Sequence, residues 1–130
     1  MLEAEMDLSG RKILIVEDND TSRYYYQTAL EQFNATSLWA KNGMEALNMF
    51  KTEPGIELVI MDLNMPEMDG FEATRQLKIM NPVIPVIVQS AFILSGEESK
   101  SYEAGCDDFI AKPVRLRTLM NAIQKHLFLK

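Results

Sequence analysis

The sequence predicts a doubly wound α/β domain built on a five-stranded parallel sheet. Three observations carry that expectation: short, nearly continuous aliphatic runs, intervening stretches with helical spacing, and turn residues placed between the two kinds of segment. The aliphatic runs are Ile13 to Val16, Leu58 to Met61, Ile84 to Val88 and Phe109 to Ala111, and their lack of polar alternation marks strands covered on both faces. A fifth strand, Thr36 to Ala40, is more mixed.

Between the strands the apolar residues recur one helical turn apart. Tyr26, Ala29, Leu30 and Phe33 form one stripe, Ala46, Leu47 and Phe50 a second, and Leu116, Leu119, Met120, Ile123 and Leu127 a third. Asn42-Gly43 precedes the second helix and Pro54-Gly55 follows it, Asp69 is placed to cap the third, Ala104-Gly105 to end the fourth, and Pro113 to open the last. The fourth helix, beginning near Gly96, offers little apolar surface beyond Tyr102 and Ala104, so it is expected to be held less firmly than its neighbours. Strand and helix alternate five times with short connections, which gives right-handed crossovers and helices on both faces of the sheet.

A chain of 130 residues, 47% hydrophobic and 25% charged, fits one domain, with residues 1–10 read as a tail and residues 11–130 as the folded unit. No apolar run approaches the roughly 18 to 20 residues of a spanning helix, and Glu3, Glu5 and Asp7 stand where a secretory signal would be basic and then apolar. Cys106 has no cysteine to pair with and suits a reducing compartment, so a cytoplasmic location is expected. The net charge of -6 has the wrong sign for gripping nucleic acid through its phosphates.

In an open parallel sheet the functional crevice lies beyond the carboxyl ends of the strands. Glu17 and Asp18 follow the first run, Asp62 ends the third, Ser90 follows the fourth and Lys112 the fifth, so all five are expected to face one cleft. Carboxylates gathered within about 4 to 6 Å repel one another, each pair by roughly 1 kcal/mol in water and by several when shielded. A compensating cation is therefore required, and two kinds are on offer: Lys112 as a fixed charge, and a hard divalent metal, for which an all-carboxylate cluster suits Mg²⁺. The same cations can bind phosphoryl oxygens, which leaves one carboxylate to attack phosphorus and form an acyl phosphate while Ser90 donates a hydrogen bond.

Taken singly, each residue has a plainer role. Glu17-Asp18-Asn19-Asp20 can be a solvated loop that caps the next helix through Asp20 or Thr21, Asp62 a turn residue and Lys112 a surface charge. Their joint placement at strand ends favours the site. Asp107 and Asp108 precede the fifth strand and read as turn residues away from the cleft, and His126, with no acid at a spacing that would enlist it, is expected to be exposed. Met65 and Met68 belong to a loop shaped by Pro66 and Gly70 and are expected to pack it.

Ile13-Leu14-Ile15-Val16-Glu17-Asp18-Asn19, then Met61-Asp62-Leu63-Asn64-Met65-Pro66-Glu67-Met68-Asp69-Gly70, Ser90-Ala91 and Asp108-Phe109-Ile110-Ala111-Lys112-Pro113 follow one another in fixed order. Together they resemble the receiver domains of bacterial two-component signalling. The resemblance implies the flavodoxin-like strand order 2-1-3-4-5, with Mg²⁺ as cofactor. It makes Asp62 the phosphoacceptor, Asp18 a direct metal ligand, Glu17 a ligand through water, and Asn64 a ligand through its backbone carbonyl. It also implies that Lys112 pairs with the acceptor and then the phosphoryl group, that a cis peptide bond precedes Pro113, and that Ser90 and Phe109 move together as a switch.

The implied role is a signalling switch that catalyses only its own phosphorylation and dephosphorylation. The donor would be a histidine kinase or a histidine phosphotransfer domain, and the changed surface would be read by a downstream protein or a second copy. Asp69-Gly70-Phe71-Glu72-Ala73 and Asp107-Asp108-Phe109 are similar to receivers of the hybrid-kinase type, beside which a stand-alone regulator stays open. Phe92-Ile93-Leu94 is more apolar than an exposed loop needs, and is expected either to dock a partner or to pack its own loop. A metal-dependent phosphatase or nuclease would want a second carboxylate two residues beyond Asp62, where Asn64 stands. A scaffold that works without phosphorylation has no need of Glu17, Asp18, Asp62, Ser90 and Lys112 together.

Overall fold

The computed structural model describes residues 6–63, 68–91 and 96–128. Along the chain run β1 (Lys12–Val16), α1 (Asp20–Glu31), β2 (Thr36–Ala40), α2 (Gly43–Thr52), β3 (Ile56–Asp62), α3 (Gly70–Met80), β4 (Val86–Ser90), α4 (Glu97–Ala104), β5 (Asp108–Ala111) and α5 (Leu116–Phe128). The strands form one parallel sheet in the order β2-β1-β3-β4-β5. Winding therefore reverses at β1, and the ends of β1 and β3 meet at the switch point where a doubly wound sheet opens its crevice.

The period of two along each strand sends its aliphatic residues to two separate cores. Ile13, Ile15, Leu58, Ile60, Ile87 and Ile110 meet Tyr26, Leu30, Leu119, Met120 and Ile123 of α1 and α5 on one face. Leu14, Val16, Val59, Met61, Val86 and Val88 meet Leu47, Ala73 and Leu77 of α2 and α3 on the other. Burial on both sides is the reason the strands show no polar alternation. No helix among the described residues is long and apolar enough to cross a membrane.

Three local expectations are corrected. The ladder of β4 begins at Val86 rather than Ile84, because Pro85 has no N–H to give it; Ser90 is thus the last residue of the strand, in register with Ala111. Asn19 caps α1, its side-chain oxygen accepting from the Ser22 N–H at 2.9 Å, in place of Asp20 or Thr21. Pro113 lies ahead of α5, which starts at Leu116 with Leu119 N–H bonded to the Arg115 carbonyl at 3.0 Å. Within the segment read as a tail, Leu8 is fully buried in the α1 and α5 core and its N–H donates to the Phe33 carbonyl at 2.7 Å.

Helix α4 is short and lightly anchored. It runs for eight residues between left-handed Gly96 and Gly105, has no side-chain cap at its start, and buries only Ser101 and Ala104. At the opposite, N-terminal edge of the sheet, Asp107 accepts from Lys78 Nζ at 2.7 Å and from the Val86 N–H at 2.8 Å. His126 departs from its expected exposure: its Nε2 lies 3.1 Å from Asp108 Oδ2 and only 16% of its side chain is accessible. The fold brings α5 across β5, and a separation of 18 residues hides the pairing from any local reading of the sequence.

Candidate functional site

The C-terminal ends of β1, β3, β4 and β5 converge on one cleft. Glu17 extends β1, donating its N–H to the Ala40 carbonyl at 2.9 Å. Its own carbonyl accepts from Trp39 Nε1 at 2.7 Å, and the Trp39 ring carries the Arg23 guanidinium 4.2 Å and the Lys41 ammonium 5.5 Å from its centre. The Glu17 carboxylate accepts the Asn19 N–H at 3.2 Å, so the loop that caps α1 also aims this acid.

Asp62 ends β3, paired with Gln89 of β4, and Gly70 closes behind it, its N–H bonded to the Leu63 carbonyl at 3.1 Å. Glu17 and Asp62 are 1% and 2% exposed, while Asp18 is open to solvent. Oxygens of the three acids lie within 4.8 Å of one another. Lys112 Nζ stands 3.3 Å from Glu17 Oε1 and 3.6 Å from Asp62 Oδ1. Its backbone N–H donates to the Ser90 carbonyl at 2.8 Å, tying the fifth strand end to the fourth, and the Lys112–Pro113 bond is cis.

Among the described residues one ammonium faces three carboxylates, and the imbalance registers on the most buried of them. The Glu17 carboxyl is pushed up to about 7, first by burial and then by the charge of Asp62, against the opposing pull of Lys112. Burial raises the Tyr26 phenol as well, and the charges of Glu17 and Asp62 push it in the same direction. Since the folded-state value of Glu17 lies above its ordinary 4.5, the metal-free domain keeps a proton that the unfolded chain has already lost. The stability this gives is complete below about pH 4.5 and is lost as pH rises through about 7. Thermal melts in chelator should show Tm falling between pH 5 and pH 8 and Glu17→Gln flattening the slope; an unchanged slope in the variant would assign it to other groups.

Three hard oxygen donors with surplus negative charge, and no imidazole or thiolate among them, fit a hard divalent cation. Of the residues expected at the site, Glu17, Asp18, Asp62 and Lys112 are brought together. Ser90 stands at the rim, fully buried, its hydroxyl donating to Glu97 Oε1 at 2.8 Å. Phe109 is half-buried on the face of the sheet that Ser90 shares, since it pairs with Val88 two residues earlier in β4. Met68 packs against the α2 and α3 core, as expected of that loop. Asn64, Met65, Pro66 and the Phe92-Ile93-Leu94 run lie outside the described residues.

Sequence reasoning missed three contributors. Trp39 braces the Glu17 backbone, and Glu97 holds the Ser90 hydroxyl. Gln89 lies buried on β4 with Nε2 3.5 Å from Glu17 Oε1, while its Oε1 is buried without a hydrogen-bond partner among the described residues. Only Gln89 carried a signal, as an amide interrupting the aliphatic run just before Ser90.

A doubly wound sheet with an acid cluster and one lysine at its switch point defines a class of phosphoryl-handling α/β domain. The chain belongs to the response regulator receiver domain family, whose model matches residues 13–124. It is 31% identical over 119 residues to the polar-differentiation response regulator DivK of Brucella anthropi, covering 90% of this chain and 96% of that one. It superposes on the receiver domain of a signal transduction histidine kinase from Syntrophus aciditrophicus with a TM-score of 0.84 at 33% identity, over 91% of this chain and 90% of the other.

A third likeness is to the receiver domain of the sensor histidine kinase PA1611 from Pseudomonas aeruginosa, which holds a magnesium ion in its active site cleft. The TM-score is 0.82 at 26% identity, over 90% of this chain and 97% of that one. Receiver domains are the phosphoacceptors of two-component signalling and interact with histidine kinases or phosphotransfer proteins, so this chain is a signalling switch of that kind.

Proposed function

We propose that Asp62 is the phosphoacceptor and that Glu17, Asp18, Asp62 and the backbone carbonyl of Asn64 hold Mg²⁺. The observation that carries this reading is the gathering of three acid side chains within 4.8 Å, with the Lys112 ammonium 3.6 Å from Asp62 and 3.3 Å from Glu17. The magnesium-bound cleft of the related PA1611 receiver supports the choice of metal. When bound, the ion neutralises charge on the phosphoryl oxygens.

An oxygen of Asp62 attacks the phosphorus of a partner's phosphohistidine. The new P–O bond forms as the P–N bond breaks, and the departing imidazole nitrogen keeps the electron pair and takes a proton from solvent. Lys112 holds its charge against the transferring group, so positioning and charge neutralisation supply most of the rate. Reversal to the resting state is hydrolysis: water adds to phosphorus, the bond to Asp62 breaks, and inorganic phosphate leaves with the water's oxygen while the carboxylate is restored.

A groove of about 490 Å³, lined by Thr21, Ser22, Tyr25, Tyr26, Pro113 and Val114, opens directly beside Lys112 and gives the donor histidine a place to approach. Ser90 then turns its hydroxyl to the phosphoryl group and Phe109 moves on the same face, changing the surface shown to a downstream protein or a second copy. Cytoplasmic residence fits the single unpaired cysteine, Cys106.

Incubation of the full chain with acetyl phosphate and Mg²⁺, followed by intact mass measurement, tests the reading. A phosphoryl group that appears only with the metal and decays on removal of the donor is the expected result. A chain that gains no mass under these conditions would overturn it.

A further inference from the structure

We propose that Glu97 is a positioning residue that holds the Ser90 hydroxyl in its resting place, so that the first turn of α4 is latched to the sheet until the acceptor is charged. The inference rests on Asp62 and Ser90 acting as proposed above.

Ser90 is fully buried at the end of β4, and its carbonyl is fixed by the Lys112 N–H at 2.8 Å. The backbone is thus pinned and only the hydroxyl is left to turn. That hydroxyl has a single proton, which it gives to Glu97 Oε1 at 2.8 Å. Bonding to Glu97 and bonding to a phosphoryl oxygen are therefore exclusive uses of one donor.

Glu97 is also the joint through which α4 would feel the change. It is the first residue of the helix, it follows Gly96, which supplies no side-chain cap, and its carbonyl accepts from Ser101 Oγ at 2.9 Å. Ser101 is 1% exposed and is one of the two residues α4 buries. When the hydroxyl turns to the phosphoryl group, the Glu97 carboxylate loses its donor just as about two negative charges arrive nearby. Among the described residues the helix buries only Ser101 and Ala104, and neither lies in its first turn, so little burial holds that turn in place. Because coupling is reciprocal, the latch that secures α4 must also oppose the charged state.

The full chain and its Glu97→Ala, Glu97→Gln, Ser90→Ala and Ser90→Ala/Glu97→Ala variants decide the matter by two readouts. One is hydrogen exchange of the α4 amides without phosphodonor; the other is the affinity for beryllium fluoride, a stable phosphoryl mimic, in Mg²⁺. Loss of one such hydrogen bond predicts faster α4 exchange and about 3- to 10-fold tighter mimic binding for Glu97→Ala. Glu97→Gln, which keeps an acceptor, should lie nearer the parent chain.

In the Ser90→Ala background, Glu97→Ala should change neither readout by more than about twofold, since the two residues act through one bond. Equal effects of Glu97→Ala in both backgrounds would reveal a helix-terminal charge effect and overturn the latch, as would unchanged α4 exchange in the single variant. Failure of the parent chain to bind the mimic would instead strike at the phosphoacceptor reading, while the exchange data would still judge the Ser90–Glu97 contact.

Discussion

Asp62→Asn is expected to abolish phosphoryl incorporation and, in the absence of metal, to make the domain more stable. The first effect follows from chemistry: an amide oxygen is a poor nucleophile toward phosphorus and the acyl phosphate cannot form. The second follows from the charge imbalance in the cleft, where Asp62 is the second-largest cause of the raised Glu17 carboxyl. Removing one of three acids leaves Lys112 better matched to those that remain, and the isosteric amide keeps the packing of a side chain that is 2% exposed.

The gain at pH 8 in chelator should be about 1 to 3 kcal/mol, the scale of a like-charge contact in a partly shielded site. The dependence of stability on pH below neutrality should weaken with it, because Glu17 then titrates nearer its ordinary range. Acetyl phosphate labelling read by intact mass, together with urea unfolding in chelator, checks both halves. A labelled Asp62→Asn chain would move the acceptor elsewhere. Destabilisation by more than about 1 kcal/mol would mean that the ion pair with Lys112 outweighs the repulsion.

The sheet was legible because burial on both faces writes itself into each strand as an unbroken aliphatic run, and the two cores built from Ile13 and Ile15 or Leu14 and Val16 use every position. The acids and the lysine were legible because the crevice of such a sheet always lies past the strand ends, so Glu17, Asp18, Asp62 and Lys112 could be placed by counting. What escaped depends on side chains meeting across the finished fold. Trp39 reaches Glu17 over 22 residues, Gln89 approaches it over 72, and His126 meets Asp108 over 18. Glu97 is only seven residues from Ser90, yet their bond depends on how the first turn of α4 sits against the end of β4, which no periodicity encodes. The start of β4 was misplaced for a local reason that could have been read: Pro85 cannot donate to the ladder.

Gly70→Ala should damage both the fold and the chemistry, although Gly70 carries no functional group. A Cβ at this position would stand 2.5 Å from the Asp62 carbonyl oxygen, 2.8 Å from Leu63 Cα and 3.2 Å from the Asp62 carbonyl carbon. All three are backbone atoms, so no rotamer change relieves the clash. Either the first turn of α3 lifts from the sheet or the end of β3 shifts. Lifting α3 breaks the Gly70 N–H bond to Leu63 and strains the cap in which Asp69 accepts the Glu72 N–H at 2.9 Å. Shifting β3 moves Asp62 away from Lys112 and the other two acids.

Overpacking against immovable atoms places the loss at about 3 kcal/mol or somewhat more. A displacement of Asp62 by as little as about 1 Å should slow labelling by roughly 10- to 100-fold. Urea unfolding and the initial rate of acetyl phosphate labelling in Mg²⁺ measure the two effects independently. A variant that loses less than about 1 kcal/mol and labels at the parent rate would show that α3 can give way without disturbing the acceptor. In that case the close approach of Gly70 would be a matter of packing alone, and the precision of the Asp62 position would have to come from β3 and its neighbouring strands.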